Sequence, residues 1–155
     1  MITARAQALA GEAAETGSAL VSAEKLLERA ENRTGDDPAW IDFLSVGRLA
    51  ADAVEIHRDL NQPKAAHQWA KRVAMPTDRY TRSYGIRLAV LTSTHLQQQN
   101  LDTAVSHAAA SIEVLERVAS VRAHDYLRRL AGEFKPWSEE PQVQKLLTSL
   151  PEPQG

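Results

Sequence analysis

Residues 38–60 read PAWIDFLSVGRLAADAVEIHRDL, and the apolar pattern in this stretch decides the fold. Phe43, Val46, Ala50 and Val54 recur at steps of three and four and make one apolar row. Leu49, Ala53, Ile56 and Leu60 make a second. These steps follow the turn of an α-helix and not the two-residue alternation of a strand. Between the rows runs a polar one: Ser45, Arg48, Asp52, Glu55 and Asp59. A helix with apolar rows on both sides of a polar stripe can pack a neighbour on each flank. Stacked helical hairpins demand this of their helices, although a helix inside any bundle can carry the same pattern.

Working outward, Thr34-Gly35-Asp36-Asp37-Pro38 supplies a stop, a cap and a proline for the first helical position. Asn61-Gln62-Pro63 ends the segment, and Ala66, Trp69, Ala70 and Val73 mark a short helix after it. Met75-Pro76-Thr77-Asp78 is the next break. A long helix is predicted from Arg79 to Gln99, then one from Leu101 to Val118 with Ala104, Ala108, Ile112 and Leu115 on one side. Ser120 can cap a helix carrying Ala123, Leu127, Leu130 and Phe134. Ser138, followed by Glu139 and Glu140, opens a last helix through Val143, Leu146 and Leu150. Upstream, Ile2, Ala6, Leu9, Ala10 and Ala13 read as one helix that Gly17 should break, with Ser18 capping the next. The expectation is an all-α chain of about eight helices: one domain over residues 1–150 and a frayed tail at 151–155.

Composition limits the chemistry. The chain has no cysteine, which excludes disulfides, thiolate metal sites and a cysteine nucleophile. Met1-Ile2-Thr3-Ala4-Arg5 carries no apolar leader run, and no stretch approaches the roughly 18 apolar residues of a membrane span, so a soluble cytoplasmic protein is expected. The formal net charge of −2 does not suggest a polyanion binder. The first 35 residues show no basic face for phosphates, so direct nucleic-acid binding is not expected.

Sliding the chain on itself aligns Asn61-Gln62-Pro63-Lys64-Ala65-Ala66 with Gln99-Asn100-Leu101-Asp102-Thr103-Ala104, at an offset of 38. The same offset pairs His57 with His95 and Ala70 with Ala108. Small residues at paired positions let the two helices of a hairpin approach closely. The period is somewhat longer than that of a tetratricopeptide repeat. Trp40 to Leu60, Arg79-Tyr80-Thr81-Arg82-Ser83, and Ser120-Val121-Arg122 ahead of Leu127 and Leu130 carry a resemblance. Over about residues 38–150 the chain resembles the tetratricopeptide region of actinobacterial helix-turn-helix transcriptional regulators. The resemblance implies a right-handed tetratricopeptide-like solenoid of about four helical hairpins that senses a peptide, small molecule or protein and dimerises. Those regulators carry a separate N-terminal DNA-binding domain, and no such segment is legible here.

Catalytic motifs are absent from the sequence. The seven glycines form no phosphate loop, no G-x-S-x-G elbow occurs, and His57, His67, His95, His107 and His124 lack metal-ligand spacing. A non-catalytic chain without cofactor or metal is therefore expected. Candidate binding residues fall in three groups. The row Arg48, Asp52, Glu55 and Asp59 would face the concave side of a solenoid, where mixed charge can grip a peptide; it also suits local pairing on a solvated face. Arg79, Arg82, Tyr84 and Arg87 make the most basic segment, net +2 with Asp78, at a helix start where the dipole favours anions instead. Arg122 would continue the lining in the last pair. The expected function is a protein- or peptide-binding repeat module with a transcription-associated regulatory role. The alternative is a small-molecule-sensing, dimerising effector domain, with a homodimer as its assembly.

Overall fold

A computed structural model describes residues 2–31, 46–73 and 81–151. Among them the structure is helical throughout, with no strand: α1 (Ile2–Leu9), α2 (Ala13–Glu31), α3 (Val46–Asp59), α4 (Pro63–Ala70), α5 (Thr81–Gln97), α6 (Leu101–Leu115), α7 (Val121–Glu133) and α8 (Pro141–Leu147). The chain divides into two compact units, Met1–Ala74 and Met75–Gly155. The predicted helix start at Pro38, with Trp40, Phe43 and Ser45, and the break at Met75–Asp78 lie outside the described residues.

Three hairpins, α1–α2, α3–α4 and α5–α6, are closed by the same turn. Each first helix ends on a residue in the left-handed region: Gly11 at φ 78°, Asn61 at φ 53° and Gln99 at φ 57°. The next residue donates its N–H five positions back, Glu12 to Gln7 at 2.9 Å, Gln62 to His57 at 2.8 Å and Asn100 to His95 at 3.0 Å. The left-handed residue itself donates three back, to Ala8, Arg58 and Leu96 respectively. This pair of bonds is a Schellman cap, which satisfies carbonyls that the end of a helix would leave orphaned. Thr16, Ala66 and Ala104 follow at the same distance into each second helix, and all three are fully buried. The offset of 38 read between the second and third hairpins therefore superposes equivalent backbone turns.

The first hairpin corrects the expected boundary. The break falls at Ala10–Glu12 and not at Gly17, which lies inside the 19-residue α2. Gly11 takes the left-handed conformation at no steric cost, whereas Gly17 inside a helix costs only about 1 kcal/mol against alanine, too little to end it. Ser18 caps nothing; its hydroxyl bonds back to the Ala14 carbonyl at 3.1 Å. At the other end α8 begins at Pro141 instead of Ser138, because proline fits the first helical position and Lys135–Trp137 forms a 3-10 turn before it. Ser120 precedes α7 in extended conformation, with no side-chain cap bond.

In the first unit the core joins Ala4 and Ala8 of α1, Leu20 of α2, and Leu49, Ala53 and Ile56 of α3, with Trp69 packed against it. In the second, Ala89, Ala108, Leu115, Leu127, Phe134 and Val143 join α5 to α8 in one core. There α7 packs on α5 and α6, and α8 packs on α6. Helix α5 is buried around most of its circumference, including Thr92, Ser93 and Thr94. Their hydroxyls donate to the Leu88, Ala89 and Leu91 carbonyls of the same helix, which satisfies these donors inside the core.

Candidate functional site

The polar row of α3 divides in two. At its outer end Arg48 is exposed and its Nε stands 3.3 Å from the Asp52 carboxylate, an i,i+4 pair on the helix surface. Further along the row the side chains turn inward. Glu55 Oε1 lies 2.8 Å from the Arg5 guanidinium of α1 and 3.5 Å from that of Arg58, and only 6% of its side chain is exposed. Arg58, with 2% exposed, holds Asp59 at 2.9 Å. Arg5, Glu55, Arg58 and Asp59 thus form a charge-balanced chain that locks α1 onto α3. Burial makes each charge expensive, and mutual pairing offsets that cost. Glu55 and Asp59 hold the helix that carries the outer pair and do not offer their carboxylates to a partner.

The basic segment is similarly spread. Arg79 lies outside the described residues. Arg82 is exposed in the first turn of α5, while Tyr84 and Arg87 are half-buried. Arg82 and Arg87 stand about 140° apart around the helix axis, so α5 does not aim them at a common point. Burial lowers the pKa of the Arg87 guanidinium from its ordinary value. Arg122 is exposed in the first turn of α7 and lies 5.8 Å from the Tyr126 ring centroid. Farther along α7, Arg128 pairs with Asp125, and Arg129 with Glu133 at 2.8 Å, so its alternating charges satisfy one another.

The histidines of the repeat serve different local contacts. His57 Nδ1 is 2.9 Å from Gln62 Oε1, beside the second turn. His95 instead faces His107, with ring centroids 5.0 Å apart. Among the described residues no group of three or more His, Asp or Glu side chains could hold a metal ion. Trp69 carries the Arg72 guanidinium 4.3 Å from its ring centroid, and Arg72 reaches Glu24 of α2 at 2.5 Å. That stack ties the end of α4 to α2.

A concave feature that the sequence did not point to lies in the second unit, between α6 and α8. It is a groove of about 460 Å³ with Val105, Ala109 and Ile112 along one wall and Leu146 on the other. Glu113 and Glu116 edge the α6 side, and Gln142, Lys145 and Ser149 edge the α8 side. Glu113 has a loose pair with Arg117 at 3.5 Å, both well exposed. Glu116 and Lys145 form no ion pair among the described residues. Val105, Ala109 and Ile112 share a helical face, so their spacing was legible, but the approach of α8, which skips over α7, was not.

No family model, curated protein or solved structure matches the chain. No described helix is long and apolar enough to cross a membrane.

Proposed function

We propose that the chain is a non-catalytic helical-hairpin module that binds a protein or peptide partner, in a regulatory and transcription-associated role. The observation that carries this reading is the recurrence of one hairpin design: Gly11, Asn61 and Gln99 each close a helix pair with the same two backbone bonds. Repetition of one hairpin builds extended surface from modest parts, and repeat proteins use such surface for recognition. In this reading the hairpins are tetratricopeptide-like repeats, and the resemblance of the stretches at Trp40–Leu60, Arg79–Ser83 and Ser120–Arg122 supplies the regulatory role. A cysteine-free chain suits the reducing cytoplasm, where regulators of this kind act.

The partner contacts fall to the exposed members of the charged set in each unit: Arg48, with Asp52 beside it, in the first, and Arg82 and Arg122 in the second. Glu55 and Asp59 act as positioning residues, through Arg5 and Arg58. The test is selection from a displayed random-peptide library on the immobilised protein. Peptides enriched over bare support should lose about tenfold or more in affinity for the triple variant Arg48→Ala, Arg82→Ala, Arg122→Ala, with helical circular dichroism unchanged. Enrichment without that loss would move the contact surface elsewhere. No enrichment at all would reject the function.

A further inference from the structure

Within the second unit a groove lies between α6 and α8. We propose that it takes an amphipathic helix of a partner protein, one that carries basic residues along the edge facing α6. The proposal deepens the reading of the chain as a partner-binding module, and it stands or falls on its own residues.

The occupant follows from the lining. Val105, Ala109 and Ile112 repeat at i, i+4 and i+7, and Glu113 and Glu116 continue along the same side of α6. From residue 105 to residue 116 the α6 side of the groove extends about 17 Å, the length of a three-turn helix. Ala109 is exposed at the middle of this wall, where a small side chain lets another helix approach. An extended peptide would bring one backbone N–H and C=O per residue into an apolar trough. Only Gln142 and Ser149 offer neutral polar side chains there, and Gln142 already donates to Asp102 at 3.0 Å. A helix satisfies its own backbone and asks the groove only for apolar contact.

Charge sets the orientation. The α6 edge presents two carboxylates, Glu113 and Glu116, and the α8 edge presents the Lys145 ammonium. The weak, exposed Glu113–Arg117 pair yields to a better partner at little cost. A helix with arginine toward α6 meets opposite charge at Glu113 and Glu116 and keeps its cations away from Lys145, and the same helix with glutamate toward α6 meets like charge.

The experiment uses the full chain and two labelled, helix-stabilised peptides of about 14 residues. Both carry leucine at i, i+4 and i+7; one has arginine along the flank, the other glutamate. Fluorescence anisotropy at low salt should show the arginine peptide binding and the glutamate peptide binding about tenfold more weakly or not at all. Ala109→Arg, at an exposed position, fills the trough and should remove binding of both. The double variant Glu113→Lys, Glu116→Lys should reverse the preference between the peptides while keeping the fold. Equal binding of the two peptides, no binding of either, or binding unaffected by Ala109→Arg would overturn the proposal. If library peptides respond to the Arg48, Arg82 and Arg122 variant while Ala109→Arg changes nothing, the module reading stands and the groove does not.

Discussion

The Ser111 hydroxyl donates to the Gly85 carbonyl at 2.9 Å, across the α5–α6 interface and out of contact with solvent. At this crossing a Cβ on residue 85 would stand 2.5 Å from Leu115 Cδ2 and 2.6 Å from its Cγ. The glycine is what allows a side chain of one helix to reach the backbone of the other.

Gly85→Ala should therefore destabilise the protein. Alanine gains about 1 kcal/mol of helix propensity, but the clash costs about 1–3 kcal/mol because Leu115, 1% exposed, cannot swing aside. A net loss of about 1 kcal/mol in urea denaturation is expected. Gly17→Ala is the control, since nothing lies within 4 Å of its added Cβ. It should gain about 0.5–1 kcal/mol, and equal effects at the two sites would contradict the packing described.

Ser111→Ala removes the hydroxyl and leaves the small side-chain volume nearly unchanged. The expected cost is about 1 kcal/mol, the net value of one buried hydrogen bond. In a double-mutant cycle with Gly85→Ala the two effects should not add, because both act at one contact. Strict additivity would mean that the hydroxyl does not depend on this approach.

Glu55→Ala should cost about 1.5–3 kcal/mol, since it strips the partly exposed Arg5 of its carboxylate while the buried Arg58 keeps Asp59. Asp52→Ala, three residues earlier, should cost under about 1 kcal/mol, because its partner Arg48 is well exposed. Added salt should shrink the Asp52 effect and leave the Glu55 effect largely intact. Comparable small losses at both positions in chemical denaturation would refute the inward-turned half of the row.

Gln99 holds φ at 57°, a conformation disfavoured for any residue with a Cβ by about 1 kcal/mol. Gln99→Gly should raise stability by about 0.5–1 kcal/mol, after the glycine's greater freedom in the unfolded chain is subtracted. Gln99→Val, β-branched, should lower it by a similar amount. Thermal unfolding followed by circular dichroism separates the three, and a glycine variant less stable than valine would refute the cap.

Periodicity made the helices legible. Ala66, Trp69 and Ala70 mark α4, which ends before Val73, and Ala104, Ala108 and Ile112 mark α6, as their three- and four-residue steps indicated. The offset of 38 was legible for the same reason, since small residues recur where helices meet. The first turn was harder to see. Ala10 and Ala13 prolong an apolar rhythm straight through Gly11, and only the backbone dihedral distinguishes it from Gly17. The row on α3 was visible as a stripe, but which of its members turn inward depends on Arg5, remote in sequence. Arg58, flanked by Glu55 and Asp59, was the local hint. Neither the Gly85–Ser111 contact nor the meeting of α6 with α8 has a signature that a one-dimensional pattern records.

The three caps also set what each hairpin tip can tolerate. Their side chains differ, Gly11-Glu12, Asn61-Gln62 and Gln99-Asn100, because the cap itself is main-chain; Gln62 on His57 and Asn100 on the Thr103 N–H are local additions to it. Their length has no such latitude. One inserted residue would swing the following helix by about 100° and slide it 1.5 Å, carrying Thr16, Ala66 or Ala104 off the seam and driving a bulkier neighbour into it. Residues that tolerate the left-handed turn can replace one another at these tips, whereas an insertion is ruinous, so homologues of this chain should vary there in letters but not in count.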